Sequence, residues 1–123
     1  MIEKRDFYIN GQWVAPAVAN DFEVIDPSTE DPCAVISLGS AADTGAAVAA
    51  AKAALPGWMA TPVAERIALV EKLIGLYSGH AEDLAQSMSA EMGAPIDMSK
   101  VQQSGTGSFH LKAFIDAFKD FDF

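Results

Sequence analysis

From Thr61 to Pro95 the apolar positions recur at three- and four-residue steps. Ile67, Val70, Leu73, Ile74 and Tyr77 fall on one stripe, and Leu84, Met88 and Met92 repeat the period further on. The pattern predicts two consecutive amphipathic helices. Thr61 followed by Pro62 suits a cap with proline in the first helical position. Gly79 is placed to close the first helix in a left-handed conformation. Gly93 and Pro95 stop the second.

The N-terminal third alternates differently. Phe7-Tyr8-Ile9 and Gln12-Trp13-Val14 flank Asn10-Gly11, two residues that tolerate the positive φ of a two-residue hairpin turn. Phe22 to Ile25 reads as a third strand and Cys33 to Leu38 as a fourth, with a turn-rich stretch from Asp26 to Pro32 between them. Ser40 and Asp43 form a capping-box pattern ahead of an Ala-rich helix over about 41–55. That helix is expected to present Ala47, Val48, Ala51 and Leu55 inward. Pro56-Gly57 is expected to break it, with Trp58 following as a buried anchor. A last helical pattern starts near Ile96, runs through Ser104-Gly105-Thr106-Gly107-Ser108 and ends in a Phe-rich stripe of Phe109, Ala113, Phe114, Ala117, Phe118 and Phe121. The fold class expected is α+β, with short N-terminal antiparallel strands over about 7–38 and helices over about 41–121.

Composition narrows the function classes. At 123 residues, half of them apolar, the chain can build one cored domain. Its 17 acidic and 8 basic side chains give a formal charge of -9. Such a balance, with no Lys/Arg cluster, disfavours nucleic acid and anionic membrane surfaces. One cysteine excludes an internal disulfide. No apolar segment follows the basic residues near Met1, so a secretory signal is not expected and a cytoplasmic protein is.

The order of these elements resembles the N-terminal region of the NAD(P)-dependent aldehyde dehydrogenases. Tyr8-Ile9-Asn10-Gly11-Gln12-Trp13 resembles the opening hairpin of that family. Val24-Ile25-Asp26-Pro27-Ser28-Thr29 is similar to its Pro-(Ala/Ser)-Thr strand and turn. Ala46 to Ala54 with Trp58 resembles its Ala-rich helix, Ala64-Glu65-Arg66 the start of the next, and Glu91-Met92-Gly93-Ala94-Pro95 its Gly-Lys-Pro closure. Two departures stand out: Glu30 occupies a turn position where the family usually has Gly, and Ala94 one where it usually has Lys.

The resemblance implies that residues 1–123 are the N-terminal part of a coenzyme-binding domain of α/β type. The full protein would oxidise an aldehyde to a carboxylic acid. A cysteine thiolate attacks the aldehyde, hydride passes to NAD or NADP, and a glutamate activates the water that hydrolyses the thioester. The family's nucleophile, base and phosphate-binding glycines have no counterpart among these residues. No catalytic or cofactor-binding residue is therefore expected here, and no cofactor on this chain alone. Some members of that family hold a monovalent cation, and the resemblance implies its ligands here as the carboxylate of Glu91 and the carbonyl of Val24, with another carbonyl from beyond residue 123, since oxygen ligands suit a hard ion. The plain reading of Glu91 is a solvated or helix-end carboxylate.

The remaining candidates read more plainly. Cys33 stands beside Glu30, Asp31 and Pro32, not beside the positive group a reactive thiol needs, and is expected to be structural. His80 and His110 each lack a second ligand at helical spacing. Gly105-Thr106-Gly107 has no preceding strand and lacks the third glycine of a dinucleotide fingerprint. Met59, Met88, Met92 and Met98 are expected to fill gaps in a helical core. The uncovered Phe109–Phe121 face expects a partner, either the remainder of the same polypeptide or another copy in a homo-oligomer. That face also carries the alternative reading, a stand-alone non-catalytic interaction module derived from the family.

Overall fold

The computed structural model describes residues 1–119 and Phe121; Asp120, Asp122 and Phe123 lie outside the described residues, and Phe121 is not helical, so the last helix stops short of the expected 121. Two compact units divide the chain, Met1–Ala60 and Thr61–Phe123.

In the first unit the Asn-Gly signal is obeyed. Strands β2 (Phe7–Ile9) and β3 (Gln12–Val14) pair antiparallel with Ile9 opposite Gln12. Asn10 and Gly11 take φ of 53° and 78°, the left-handed pair that a primed turn requires. Strand β4 (Asp21–Ile25) pairs antiparallel with β5 (Pro32–Ser37), the two expected strands shifted by one residue. An additional strand, β1 (Ile2–Lys4), pairs parallel on the other side of β5. The sheet order is β1-β5-β4, so β5 is central, and Val35 and Ser37 on it are buried. Arg5 ties the sheet's edges: it donates to Asp21 on β4 at 3.0 Å and to Glu3 on β1 at 2.8 Å.

The turn after β4 holds Glu30 at φ 63°. This is the turn position where glycine was expected from the family pattern. A β-carbon in the left-handed region is disfavoured by about 1 kcal/mol or more, and the turn is held by Asp26, whose carbonyl accepts the N–H of Thr29 and Glu30.

Helix α1 spans Ala41–Ala60. Its capping box forms as read: the Ser40 N–H donates to Asp43 Oδ2 at 2.8 Å and the Asp43 N–H to Ser40 Oγ at 3.4 Å. Two expectations fail. Pro56 and Gly57 do not end the helix, which runs on to Ala60, the Ala-rich turns before them being strong helix formers. Nor is there an inward face: no residue of α1 is buried, and Val48, Leu55 and Trp58 are exposed. Alanines offer little side-chain area, and α1 meets the rest of its unit mainly at strand β2 of the hairpin.

The second unit is helical. It comprises α2 (Val63–Gly79), α3 (Ala81–Met92), a single turn α4 (Ile96–Met98), a π-helical segment Ser99–Gln103 and α5 (Ser104–Lys119). Pro62, not Thr61, is the N-cap of α2, with ψ of 145°, and no side chain caps it. The carbonyl of Thr61 instead accepts Arg66 Nε at 2.9 Å. Gly79 stays helical. The reversal falls on His80 (φ -106°), which ends α2 and caps α3 at once, leaving no room for a left-handed exit. Gly93 does end α3 in the left-handed region, at φ 69°.

Packing selects one stripe of α2. Ile67, Val70, Ile74 and Tyr77 are half-buried, whereas Leu69, Leu73 and Leu76 remain exposed. The partner face of α5 is not the Phe-rich stripe. It is Ser104, Gly107, Leu111 and Ile115, with Phe118 half-buried. The Tyr77 hydroxyl donates to the Ser104 carbonyl at 2.8 Å, and the Tyr77 ring lies directly over Gly107, where any β-carbon would collide with it. The glycine inside α5 is thus the close-approach point of two helices. Behind it Ala85, Ser99 and Ser104 are almost fully buried, a small-residue junction of α3, the π segment and α5.

Two glycine substitutions separate this contact from helix propensity. Gly75 of α2 has nothing within 4 Å of a built β-carbon. Gly75→Ala is expected to stabilise the fold by about 0.4–1 kcal/mol, and Gly107→Ala to destabilise it by about 1–3 kcal/mol through overpacking. Urea midpoints of the two variants check this; equal shifts of the same sign would remove the close-approach reading.

Candidate functional site

Cys33 is the extra residue on β5 where the register slips opposite Val24 and Ile25. Its thiol donates to the Val24 carbonyl at 3.3 Å and is half-buried, as expected of a structural cysteine. The Val24 carbonyl, the first expected cation ligand, therefore sits at a β-bulge in the first unit with one acceptor direction in use. Glu91, the second, is exposed on the last turn of α3 in the second unit. Below it the turn is closed by Ser89 Oγ, which donates to the Ala94 carbonyl at 2.7 Å, the position where the family usually has Lys.

His80 lies between α2 and α3 as read, and its Nδ1 is 3.3 Å from Asp83 Oδ2. His110 is exposed on α5, edge-on to Phe109 with ring centroids 5.5 Å apart. Among the described residues no group of three His, Cys, Asp or Glu side chains is arranged to hold a metal ion. Among the described residues no helix is long and apolar enough to cross a membrane. Gly105-Thr106-Gly107 lies in the first turns of α5 after a π segment rather than after a strand, which is not a phosphate loop.

The methionines are not core fillers as a set. Met59, Met92 and Met98 are exposed, and only Met88 is half-buried. The Phe-rich face is open within the chain: Phe109, Phe114 and Phe121 are 67%, 53% and 64% exposed. Phe114 stacks on Phe118 at 5.3 Å, and Arg66 lies 5.7 Å from the Phe118 ring.

The charged contacts are at the surface. The carboxylate of Asp43 accepts three hydrogen bonds. The Ser40 hydroxyl and then the backbone N–H groups of Ala17 and Ser40 hold its carboxyl below the usual range. The Ala17 contact, at 2.8 Å, pins the loop between β3 and β4 to the start of α1. Capping was legible in the sequence; this long-range anchor was not, since a backbone N–H leaves no side-chain signal. Gln86 and then Lys100 lower Glu82 likewise.

Comparison with known proteins shows what these elements belong to. The profile of the aldehyde dehydrogenase family matches residues 13–122. The chain belongs to that family. It is 36% identical to a 3-succinoylsemialdehyde-pyridine dehydrogenase from a Pseudomonas species, over 100% of this chain and 26% of the relative. A crystal structure of aldehyde dehydrogenase from Bartonella henselae superposes with a TM-score of 0.98 at 50% identity, covering 100% of this chain and 26% of that one. An aldehyde dehydrogenase C variant from Pseudomonas syringae, solved with NAD+ and octanal, gives a TM-score of 0.94 at 36% identity over 97% of this chain and 24% of that one. The chain thus spans about a quarter of the length of the relatives it matches.

Because Asp43 has a lowered folded pKa, its contribution is present above the unfolded carboxylate value of about 4 and is lost as pH falls through the folded value. Asp43→Ala is expected to lower the melting temperature at neutral pH and to lose that deficit in acid. Melting curves against pH check this; a deficit that persists unchanged in acid would contradict it.

Proposed function

We propose that this chain is the N-terminal part, residues 1–123, of a coenzyme-binding domain in an enzyme that oxidises an aldehyde to a carboxylic acid with a nicotinamide cofactor. The observation that carries the reading is the superposition of the whole chain on a quarter of an aldehyde dehydrogenase at 50% identity. The Pseudomonas syringae relative, solved with NAD+ and octanal, supports NAD+ as the coenzyme of the full protein. The residues described supply scaffold: a sheet pinned by Arg5, a hairpin and a helical unit locked at Tyr77 and Gly107. The reacting thiolate, its base and the phosphate-binding glycines belong to residues outside this chain. The lone cysteine is engaged with a backbone carbonyl inside the sheet.

The exposed faces fit the same reading. Phe109 and Phe114 on α5, Phe121 beyond it, and Leu69, Leu73 and Leu76 on α2 are apolar surfaces that water does not favour. The remainder of the polypeptide, or another copy in a homo-oligomer, covers the Phe109–Phe121 face. The same face supports the second reading, an interaction module without chemistry. A cytoplasmic location accords with a chain that has a single cysteine and no disulfide to form.

The purified chain, mixed with an aldehyde and NAD+, is expected to produce no reduced nicotinamide, whereas the complete gene product does. Absorbance of the reduced cofactor checks both, and activity in the chain alone would overturn the scaffold reading. An inactive complete product that still self-associates through the Phe face would favour the module.

The cation reading of Val24 and Glu91 rests on the family pattern and on the oxygen character of both groups. Crystals soaked in a heavier alkali ion are expected to show density at Glu91, lost in Glu91→Gln. Absence of density there would remove the site.

A further inference from the structure

We propose that Asn10-Gly11 is a self-modifying site, at which the asparagine deamidates through a succinimide and converts the hairpin turn into an aspartate or isoaspartate form. The inference does not depend on the activity proposed above.

The chemistry needs a side-chain amide, an unhindered backbone nitrogen after it, and water. Asn10 and Gly11 are both exposed at the tip of the β2–β3 turn. Nothing lies within 4 Å of a β-carbon built on Gly11, so no residue beyond its chain neighbours crowds that side of the glycine. Among the described residues, the backbone hydrogen bonds of turns and loops do not include the Gly11 N–H. The turn is closed by a short ladder of three residue pairs, so local opening is within reach of thermal motion.

The step balances with solvent alone. The Gly11 nitrogen attacks Asn10 Cγ and the N–Cγ bond forms. The Cγ–NH2 bond breaks, and ammonia leaves with the proton from nitrogen. Water then opens the five-membered imide. Attack at Cγ gives aspartate; attack at the former main-chain carbonyl gives isoaspartate, in which the main chain runs through the side-chain carbon.

The two products differ in what the hairpin can bear. Aspartate tolerates a left-handed φ nearly as well as asparagine, so an Asp-Gly turn keeps the register. Isoaspartate adds a methylene to a two-residue turn that sets Ile9 opposite Gln12. That lengthening displaces the cross-strand pair Tyr8 and Trp13, whose rings stand 5.2 Å apart. Either product takes the formal charge from -9 to -10, since one neutral amide becomes one carboxylate.

The chain's other asparagine, Asn20, is an internal control. It precedes Asp21, whose side chain hinders the attacking nitrogen, and its carbonyl accepts the Leu38 N–H at 2.8 Å. The test is incubation of the purified chain at mildly alkaline pH, followed by peptide mapping, isoaspartate detection with an isoaspartyl methyltransferase, and isoelectric focusing. The expected result is a gain of about 1 Da in the Asn10 peptide, with an acidic band on focusing. Conversion at Asn10 should exceed that at Asn20 by about tenfold or more, glycine being the least hindered neighbour. Asn10→Asp, which keeps the turn, should abolish both the mass gain and the band shift at this site. An Asn10 that keeps its amide while a free Phe7–Val14 peptide converts, or an Asn20 that converts first, overturns the proposal.

Discussion

The helical unit depends on one close approach. The Tyr77 ring of α2 can lie over α5 only because residue 107 has no side chain, and in that position its hydroxyl reaches the Ser104 carbonyl at 2.8 Å. A glycine in a helix interior costs about 1 kcal/mol in propensity. Here the helix–helix contact offsets that. Once Tyr77 is seated, the rotation of α5 about its own axis is fixed. Leu111 and Ile115 turn inward with Gly107, and Phe109 and Phe114 turn out. The uncovered aromatic face is therefore a consequence of the Tyr77 contact and not a separate feature.

That contact also explains the junction behind it. Drawing α2 and α5 together brings α3 and the π segment close enough that only Ala85, Ser99 and Ser104 fit between them. Ser104 Oγ turns back to the Lys100 carbonyl at 3.1 Å, which quiets its own hydroxyl in the crowded space. Ser99 Oγ and Gln103 Oε1 are buried there without a hydrogen-bond partner among the described residues. Close backbone packing and unsatisfied oxygens oppose each other, and packing prevails. In the first unit the corresponding constraint is polar. Arg5 spans the sheet's edges, and Asp43 joins a helix start to a distant loop, because Ala-rich α1 brings almost no apolar area of its own.

The described chain is a three-stranded sheet, a hairpin and a set of helices. Its charged contacts are surface ion pairs, worth little individually, and its lone thiol is occupied by a backbone carbonyl. What it presents outward is shape: Phe109, Phe114, Leu69, Leu73 and Leu76 on helices whose other faces are already packed. Membership of the aldehyde dehydrogenase family gives that shape its meaning, since the relatives carry about three more lengths of chain than the part matched here.

Local signals in the sequence determined the hairpin at Asn10-Gly11, the Ser40–Asp43 capping box, the left-handed stop at Gly93 and the family's order of elements. Each rests on the φ preference or hydrogen-bonding reach of one or two neighbouring residues, which the chain carries with it wherever it packs. Tertiary structure decided the rest. Strand β1 exists only because β5 offers it a backbone edge, and three exposed residues leave no pattern to read. Helix α1 continues through Pro56-Gly57 because the long Ala-rich run before it outweighs the local break. Trp58 is exposed because nothing in its unit reaches it, although size alone marked it as an anchor. The inward face of α5 follows small residues and not phenylalanines, because what a helix buries depends on the partner's shape. A sequence shows how apolar a stripe is, but only the neighbour, here Tyr77, fixes which stripe it covers.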